Sequence, residues 1–313
     1  MTDFQWRDKV AAPAKLPVTA IVAVKNEEVN LPRCLSALQL ASRVIVADSG
    51  SQDHTVDIAR QMGSDILQFS YGGGYPKKRQ WVLGNADIDT PWVMLVDADE
   101  VIPSDLWHEV RMALSNERVC AYLVRKEFHF LGKRFRYGGF SHSAIVLFRS
   151  GKARFENLLE NPPLEQDMEV HERLIVEGPI AKLKTPLVHE DFRGLDAYVN
   201  KHRQYASWEA AVRVNFQQSG RWGKDSVEPR IVGNAQEVRR FLKMISMAMP
   251  FEPVLWFLYH YVVKLGFLEG RRGLIASQVR SNYIREVRAK VYESQLRQAA
   301  HCVGLDGFGD GDH

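Results

Sequence analysis

The run Trp92-Val93-Met94-Leu95-Val96 carries no polar side chain and leads directly into Asp97-Ala98-Asp99-Glu100. An uninterrupted apolar run of this kind reads as a strand buried on both faces of a parallel sheet, and such sheets present their ligands at the carboxyl ends of their strands. Two carboxylates one residue apart at that exit repel each other and lose hydration. A divalent cation held between them and a phosphate-bearing ligand relieves both penalties. Taken alone, D-x-D after a strand is more often a solvated acidic turn. Its place as the fourth strand of a regular series favours the functional reading.

That series fills the first hundred residues. Val18–Val24 is a β-branched apolar run, followed by helical spacing of Leu31, Cys34, Leu35 and Leu38 over 30–40. Pro32 suits the first turn of this helix, where a missing N–H costs nothing. Strands at 44–47, 66–69 and 93–96 alternate with helices at 53–62, 76–85 and 105–114. Such alternation implies right-handed crossovers and a parallel sheet covered on both faces. The pattern then changes: 120–126 and 144–148 read as strands added in mixed or antiparallel sense at the sheet edge, with a basic, aromatic stretch at 128–137 between them. Residues 150–167, with Asn161-Pro162-Pro163, read as a loop long enough to act as a flap. Helical spacing dominates over 195–218, 234–248, 251–268 and 270–297, and the Gly/Asp-rich composition of 304–313 predicts a disordered tail.

The 313 residues carry a net charge of +3, too little to argue for nucleic acid. Cys34, Cys120 and Cys302 lack metal-ligand spacing, and their odd number fits a reducing cytosol. The start of the chain has no signal-peptide core, and no long uncharged apolar stretch reads as a membrane span, so a cytoplasmic location is expected.

Polar residues recur at the strand ends: Lys25-Asn26-Glu27-Glu28, then Asp48-Ser49-Gly50-Ser51, then Asp97-Ala98-Asp99-Glu100. In a doubly wound sheet these loops converge on one crevice. No G-x-G-x-x-G follows the first strand and no G-x-x-x-x-G-K-[ST] occurs, which disfavours dinucleotide and P-loop binding. Gly72-Gly73-Gly74 reads as a flexible turn. A crevice lined by acids suits a nucleotide diphosphate once a metal offsets the charge. Asp48 can accept from a base N–H and Glu27 from a ribose hydroxyl, while Asp97 and Asp99 hold ribose and metal. Lys77 and Arg79 supply counter-charge to phosphates, although a solvated basic helix face is the simpler account of that pair alone.

The segments KNEEVNLPRCL, DSGSQDHTVDIA, KKRQWVL and WVMLVDADE, in this order and spacing over 18–100, resemble the family-2 glycosyltransferases. Further on, GKRFRYGGF, VLFRSGKARF, VHERL, Leu187-Val188-His189 and GFLEGRRGL resemble a branch that includes lipopolysaccharide-core glucosyltransferases. The resemblance implies a GT-A type α/β fold, Rossmann-like with a mostly parallel central sheet and helices on both faces, plus a C-terminal helical region. It divides the chain into an extension at 1–16, a nucleotide-sugar-binding catalytic domain at 17–192, helices at 193–300 and a tail at 301–313. It implies nucleotide-sugar contacts at Val24, Glu27, Asp48, Lys77, Arg79, Asp97, Ala98 and Asp99, and magnesium or manganese at Asp99 and Asp97 with His189 approaching the metal or diphosphate. Glu172 stands where this branch places its general base, which would give inversion in one displacement; Asp167 and Asp191 are reserves. On residue type alone, Glu172 is a surface carboxylate paired with a nearby base, and His189 a hydrogen-bonded strand-end histidine. Gln80 departs from the asparagine usual at its position, and 140–149 lacks the usual paired arginine.

The implied partners are a nucleotide-sugar donor, UDP-linked by expectation, and a glycan or lipid-linked acceptor of the cell envelope. Residues 251–290 join an aromatic-rich segment to clustered arginines, a pattern that fits an anionic membrane surface at the inner face of the cell membrane, a lid on the catalytic domain, or a contact in a homo-oligomer. A nucleotidyltransferase would also use acids at strand ends, but needs a Gly-rich basic loop after its first strand, which KNEE is not. A non-catalytic binding module would have lost Asp97, Asp99 or Glu172, and all three are present.

Overall fold

The computed structural model describes residues 14–159, 167, 169, 172–190 and 194–302. Strands β1 (Leu16–Val24), β2 (Ala41–Asp48), β3 (Asp65–Gln68) and β4 (Trp92–Asp97) alternate with helices α1 (Leu31–Ser36), α2 (Thr55–Gln61) and α3 (Lys78–Asn85). They pair in parallel in the spatial order β3-β2-β1-β4, so the exits of β1, β2 and β4 open on the same edge. Side chains of β4 alternate between two cores, as a strand's period of two requires. Trp92, Met94 and Val96 pack with Leu31, Leu38 and Leu106, while Val93 and Leu95 pack with Ile45, Val82 and Phe148. Burial of each such large side chain is worth roughly 1.5–3 kcal/mol.

After β5 (Glu100–Val101) and α4 (Ser104–Ala113), the expected antiparallel additions join the parallel unit at its β4 edge. Strand β6 (Ala121–Phe130) is longer than its sequence pattern and turns through Leu131 and Gly132 into β7 (Lys133–Arg134). Both turn residues have positive φ, 50° and 70°, which matches the twist of a two-residue hairpin. β8 (His142–Arg149) lies antiparallel between β4 and β6, so β4 becomes an interior strand. The stretch read as a flap contains β9 (Ala153–Phe155), which pairs with β10 (Leu174–Val176); residues 160–166 lie outside the described residues. β11 (Ile180–Lys182) and β12 (Leu187–His189) both run parallel to β6, and β12 pairs antiparallel with β5. That last pairing sets His189 opposite Glu100, beside the exit of β4.

The C-terminal region comprises α5 (Gly194–Ser219), α6 (Ala235–Ala248), α7 (Glu252–Leu258) and α8 (Arg271–Cys302). Asn234 and Glu237 form a capping box that starts α6. Ala206 and Ala210 of α5 pack on Tyr283, Ile284 and Val287 of α8. The single helix expected over 251–268 is broken: a π turn at Tyr259–Val263 and a 3₁₀ turn at Gly266–Glu269 follow α7. Leu265 adopts φ 58°, which a continuing right-handed helix excludes, and a Cβ on Gly266 would stand 2.6 Å from the His260 carbonyl oxygen. α8 runs through Cys302, past the start expected for the tail, and 303–313 lie outside the described residues.

Candidate active site

The two aspartates at the end of β4 meet different surroundings. Asp97, whose side chain is 27% exposed, is paired with Arg79 through Oδ1 and with Lys126 through Oδ2 at 3.1 Å. Asp99 is buried; its Oδ2 lies 3.3 Å from His189 Nε2 and 3.5 Å from Lys201 Nζ of α5. Its other oxygen, Oδ1, is buried without a hydrogen-bond partner among the described residues. Burial alone would raise the Asp99 carboxyl, but Lys201, then His189 and Lys126, outweigh it and hold the group well below the usual carboxylate range. Burial likewise lowers the His189 imidazole, and Asp99 overrides it, so His189 stays protonated to higher pH than an ordinary histidine. Glu100 is fully buried on Lys126 and accepts from the Asp97 N–H at 3.0 Å, which fixes the turn carrying both aspartates. Ala98 packs its methyl into the core beneath.

The first turn of α3 joins this cluster to Glu172. Lys77 Nζ lies 2.7 Å from Glu172 Oε1, with both side chains only 5% exposed, and stands 5.1 Å over the Trp208 ring. Two residues on, Arg79 reaches Asp97 and also donates to the Glu169 carbonyl at 3.2 Å. Glu169 accepts from the backbone N–H groups of Arg79 and Gln80 at 2.9 Å each, so a distant carboxylate caps the α3 N-terminus. Burial raises the Glu169 carboxyl, with Arg79 opposing and the neighbouring Glu172 adding to the rise. Gln80 is a structural tie: its side-chain oxygen accepts from the Phe155 N–H at 2.7 Å and holds α3 to β9. A cavity of about 10 Å³, room for one water, is lined by Lys77, Glu169 and Glu172 together with Glu156. Glu156 itself is committed to Arg240 and to the N–H groups of Arg173 and Val227.

Of the reserve bases, Asp167 is bound to Lys78 Nζ at 3.0 Å, and Asp191 lies outside the described residues. The remaining expected contacts form the loops after β1 and β2. Val24 is buried, and its carbonyl accepts from Lys78 Nζ at 2.8 Å. Glu27 accepts from Asn30 Nδ2 at 3.0 Å, and its N–H donates to Thr55 Oγ1. The Asp48 carboxylate is turned into its own loop, accepting from the N–H groups of Gly50 and Ser51 and from Ser51 Oγ. It shapes the loop instead of projecting from it.

The fold therefore gathers Asp97, Asp99 and His189 at one strand end and brings Glu172 to the same helical turn as Arg79. It does not arrange Asp97, Asp99 and His189 as a three-ligand set: no group of three His, Cys, Asp or Glu side chains that could hold a metal occurs among the described residues. Arg79 and Lys126 turn Asp97 aside, while Asp99 and His189 stay adjacent. Sequence reasoning missed Lys126, Glu169 and Lys201. Lys201 comes from a helix a hundred residues beyond β4 and carried no local signal; the run Glu169-Val170-His171-Glu172 did offer a second acid beside the expected base.

Residues 19–167 match the model of Glycosyl transferase family 2, and this match with the glycosyltransferase relatives that follow makes the chain a glycosyltransferase. It is 25% identical over 296 residues to the lipopolysaccharide core biosynthesis glycosyltransferase LpsC of Rhizobium meliloti, covering 91% of this chain and 95% of that protein. An uncharacterized glycosyltransferase of Rickettsia typhi is 23% identical over 297 residues, covering 93% and 91% respectively. Among solved structures, glucosyl-3-phosphoglycerate synthase of Mycobacterium tuberculosis, crystallised with Mn²⁺, UDP and glucosyl-3-phosphoglycerate, matches 37% of this chain and 44% of its own at 22% identity, with a TM-score of 0.29.

Proposed function

We propose that this chain is an inverting, divalent-metal-dependent glycosyltransferase. It would move a sugar from a UDP-sugar to a hydroxyl of a glycan or lipid-linked acceptor in lipopolysaccharide or related envelope polysaccharide synthesis. The observation that carries this reading is the Asp99 carboxylate: buried, ionised, beside His189, and with one oxygen unpartnered among the described residues. A buried anionic oxygen without a partner is costly unless a ligand completes it. The donor set, a carboxylate and an imidazole, fits magnesium or manganese when phosphate oxygens and water supply the other ligands. When bound, the cation supplies neutralisation of the charge on the departing diphosphate.

The chain's own residues divide the remaining work, and we assign it to 17–192 with Lys201 added from α5. Arg79, Lys126 and Lys201 line the acids closely enough to hand their charge to a diphosphate that displaces those contacts. Asp97, once released by Arg79, is free to accept from a ribose hydroxyl. The loops built by Val24, Glu27 and Asp48 bound the nucleoside side of the crevice. Glu172 takes the proton of the acceptor hydroxyl at its carboxylate, and attack from the face opposite the diphosphate inverts the anomeric centre. Lys77 holds Glu172 in orientation until the acceptor arrives. The 25% identity to a lipopolysaccharide core enzyme along nearly its full length supports the acceptor class.

A panel of nucleotide sugars, with and without Mg²⁺ or Mn²⁺, tests this by thermal shift and by release of free UDP. UDP-sugars should raise the unfolding temperature only with metal, and chelation should stop UDP release. Metal-independent release, or no stabilisation by any nucleotide sugar, overturns the reading.

A further inference from the structure

Between Leu242 and Leu268 the helical region leaves large apolar side chains in solvent on successive elements: Leu242 on α6, Leu255 and Leu258 on α7, and Val263 and Phe267 in the turns that follow. Phe251, at the start of α7, is 77% exposed. Phe251 and Leu265 hold φ of 57° and 58°, a left-handed backbone unfavourable for any side chain, here used to place apolar groups outward. Gly138 donates to the Lys264 carbonyl at 2.7 Å, which ties the exposed Tyr137 to the same surface. Isolated exposed apolar residues need no explanation, but a run of them on α7 and the turns packed next to it marks an interaction site.

Within this stretch of chain the exposed charge has one sign. The only acids between residues 238 and 272 are Glu252 and Glu269. Both are buried, on Arg213 and on Lys133 respectively. Lys264, Arg271 and Arg272 remain exposed at its rim. A second copy of the chain meeting this face about a two-fold axis would set these cations against one another with no acid to receive them. Phospholipid phosphates receive them, and the headgroup boundary accepts aromatic and aliphatic side chains beside bases. No helix among the described residues is long and apolar enough to cross a membrane. The surface differs from the 251–290 stretch read from sequence. Arg280 lies over the Trp256 and Tyr283 rings and Arg288 bonds to Glu252, so part of the basic run of α8 faces protein.

We propose that the face formed by the end of α6, α7 and the two following turns docks on an anionic bilayer surface. Phe251, Val263 and Phe267 enter the headgroup boundary, while Lys264, Arg271 and Arg272 meet lipid phosphates. The contact is rigidly connected to the crevice: His260 stacks on Phe140 at 4.6 Å, and Phe140 on Phe128 at 5.1 Å, on the strand whose Lys126 holds Asp97. Docking therefore fixes how the crevice faces the membrane. This inference stands apart from the assignment of the reaction.

Co-sedimentation of the full chain with vesicles tests it, using phosphatidylcholine alone or in equal mixture with phosphatidylglycerol. Binding to the mixed vesicles is expected, with little to the neutral ones. Each basic residue at an anionic surface is worth about fivefold in partitioning, so Arg271→Glu with Arg272→Glu should weaken binding at least about 25-fold. Val263→Glu with Phe267→Glu should abolish it; both pairs are exposed, and circular dichroism and thermal unfolding confirm that the fold survives. Absence of binding to mixed vesicles, or equal binding by all variants, overturns the proposal. So does a vesicle-free dimer in sedimentation velocity that Val263→Glu with Phe267→Glu turns into monomer, since the face would then belong to a second copy.

Discussion

Replacing Glu172 by Gln separates the proposed base from its structural surroundings. The side chain keeps its shape and one acceptor oxygen but loses the charge that faces Lys77 at 2.7 Å in a nearly dry contact. Removing one partner of a buried ion pair costs about 3–5 kcal/mol. Here the amide oxygen and the Trp208 ring beneath Lys77 retain part of the contact, so a loss of roughly 1–3 kcal/mol is expected. That is a few degrees in unfolding temperature, which leaves the chain folded at assay temperature. Transfer should fall by about 10²–10⁴-fold, the contribution of a positioned general base. Donor affinity should hold or rise, because a carboxylate that competes with the diphosphate for Lys77 has gone. Single-turnover UDP release gives the first quantity and calorimetric titration with UDP and Mn²⁺ the second. Transfer within about threefold of the unmodified chain would place the base elsewhere. A parallel fall in donor affinity and transfer would show that Glu172 serves the fold or the donor site instead.

Asp99→Asn removes the charge facing His189 and Lys201; Mn²⁺ affinity in the presence of UDP, followed by electron paramagnetic resonance, should fall at least about tenfold, and an unchanged value excludes Asp99 as a ligand. Arg213→Ala leaves the buried Glu209 and Glu252 without the guanidinium that bonds both, at 2.7 and 2.8 Å, and should cost about 3–5 kcal/mol in urea unfolding. Burial pushes His202 and His260 down to about 4, so below pH 6.5 the unfolded chain takes up these protons first. Their contribution to stability is full above pH 6.5 and declines as pH falls toward 4, by up to about 1.4 kcal/mol per pH unit for each histidine. Replacing both by Phe should flatten urea-unfolding stability over that window, and an unchanged slope refutes the assignment.

The alternation of apolar runs and helical spacing was enough to specify four parallel strands, because a strand buried on both faces must be apolar throughout and its crossover must hide the face of a helix. The place of β8 was not legible. Its apolar pattern states that it is buried, but whether β8 or β6 pairs directly with β4 depends on backbone partners that no local pattern encodes. The break over 251–268 was equally hidden, since the stretch is apolar and helix-compatible at nearly every position until Leu265 takes a left-handed turn.

The same division holds at the candidate site. Sequence alone determined that carboxylates stand at the exit of β4 and bases at the start of α3, because both are set by position relative to a local element. Only the tertiary structure decided which carboxylate meets which base. Arg79 and Lys126 claim Asp97, His189 and Lys201 converge on Asp99, and Lys77 reaches Glu172 across 95 positions of chain. Such pairings act over a few ångströms between residues far apart in sequence, so they exist only once the sheet has closed and the helices have packed against it.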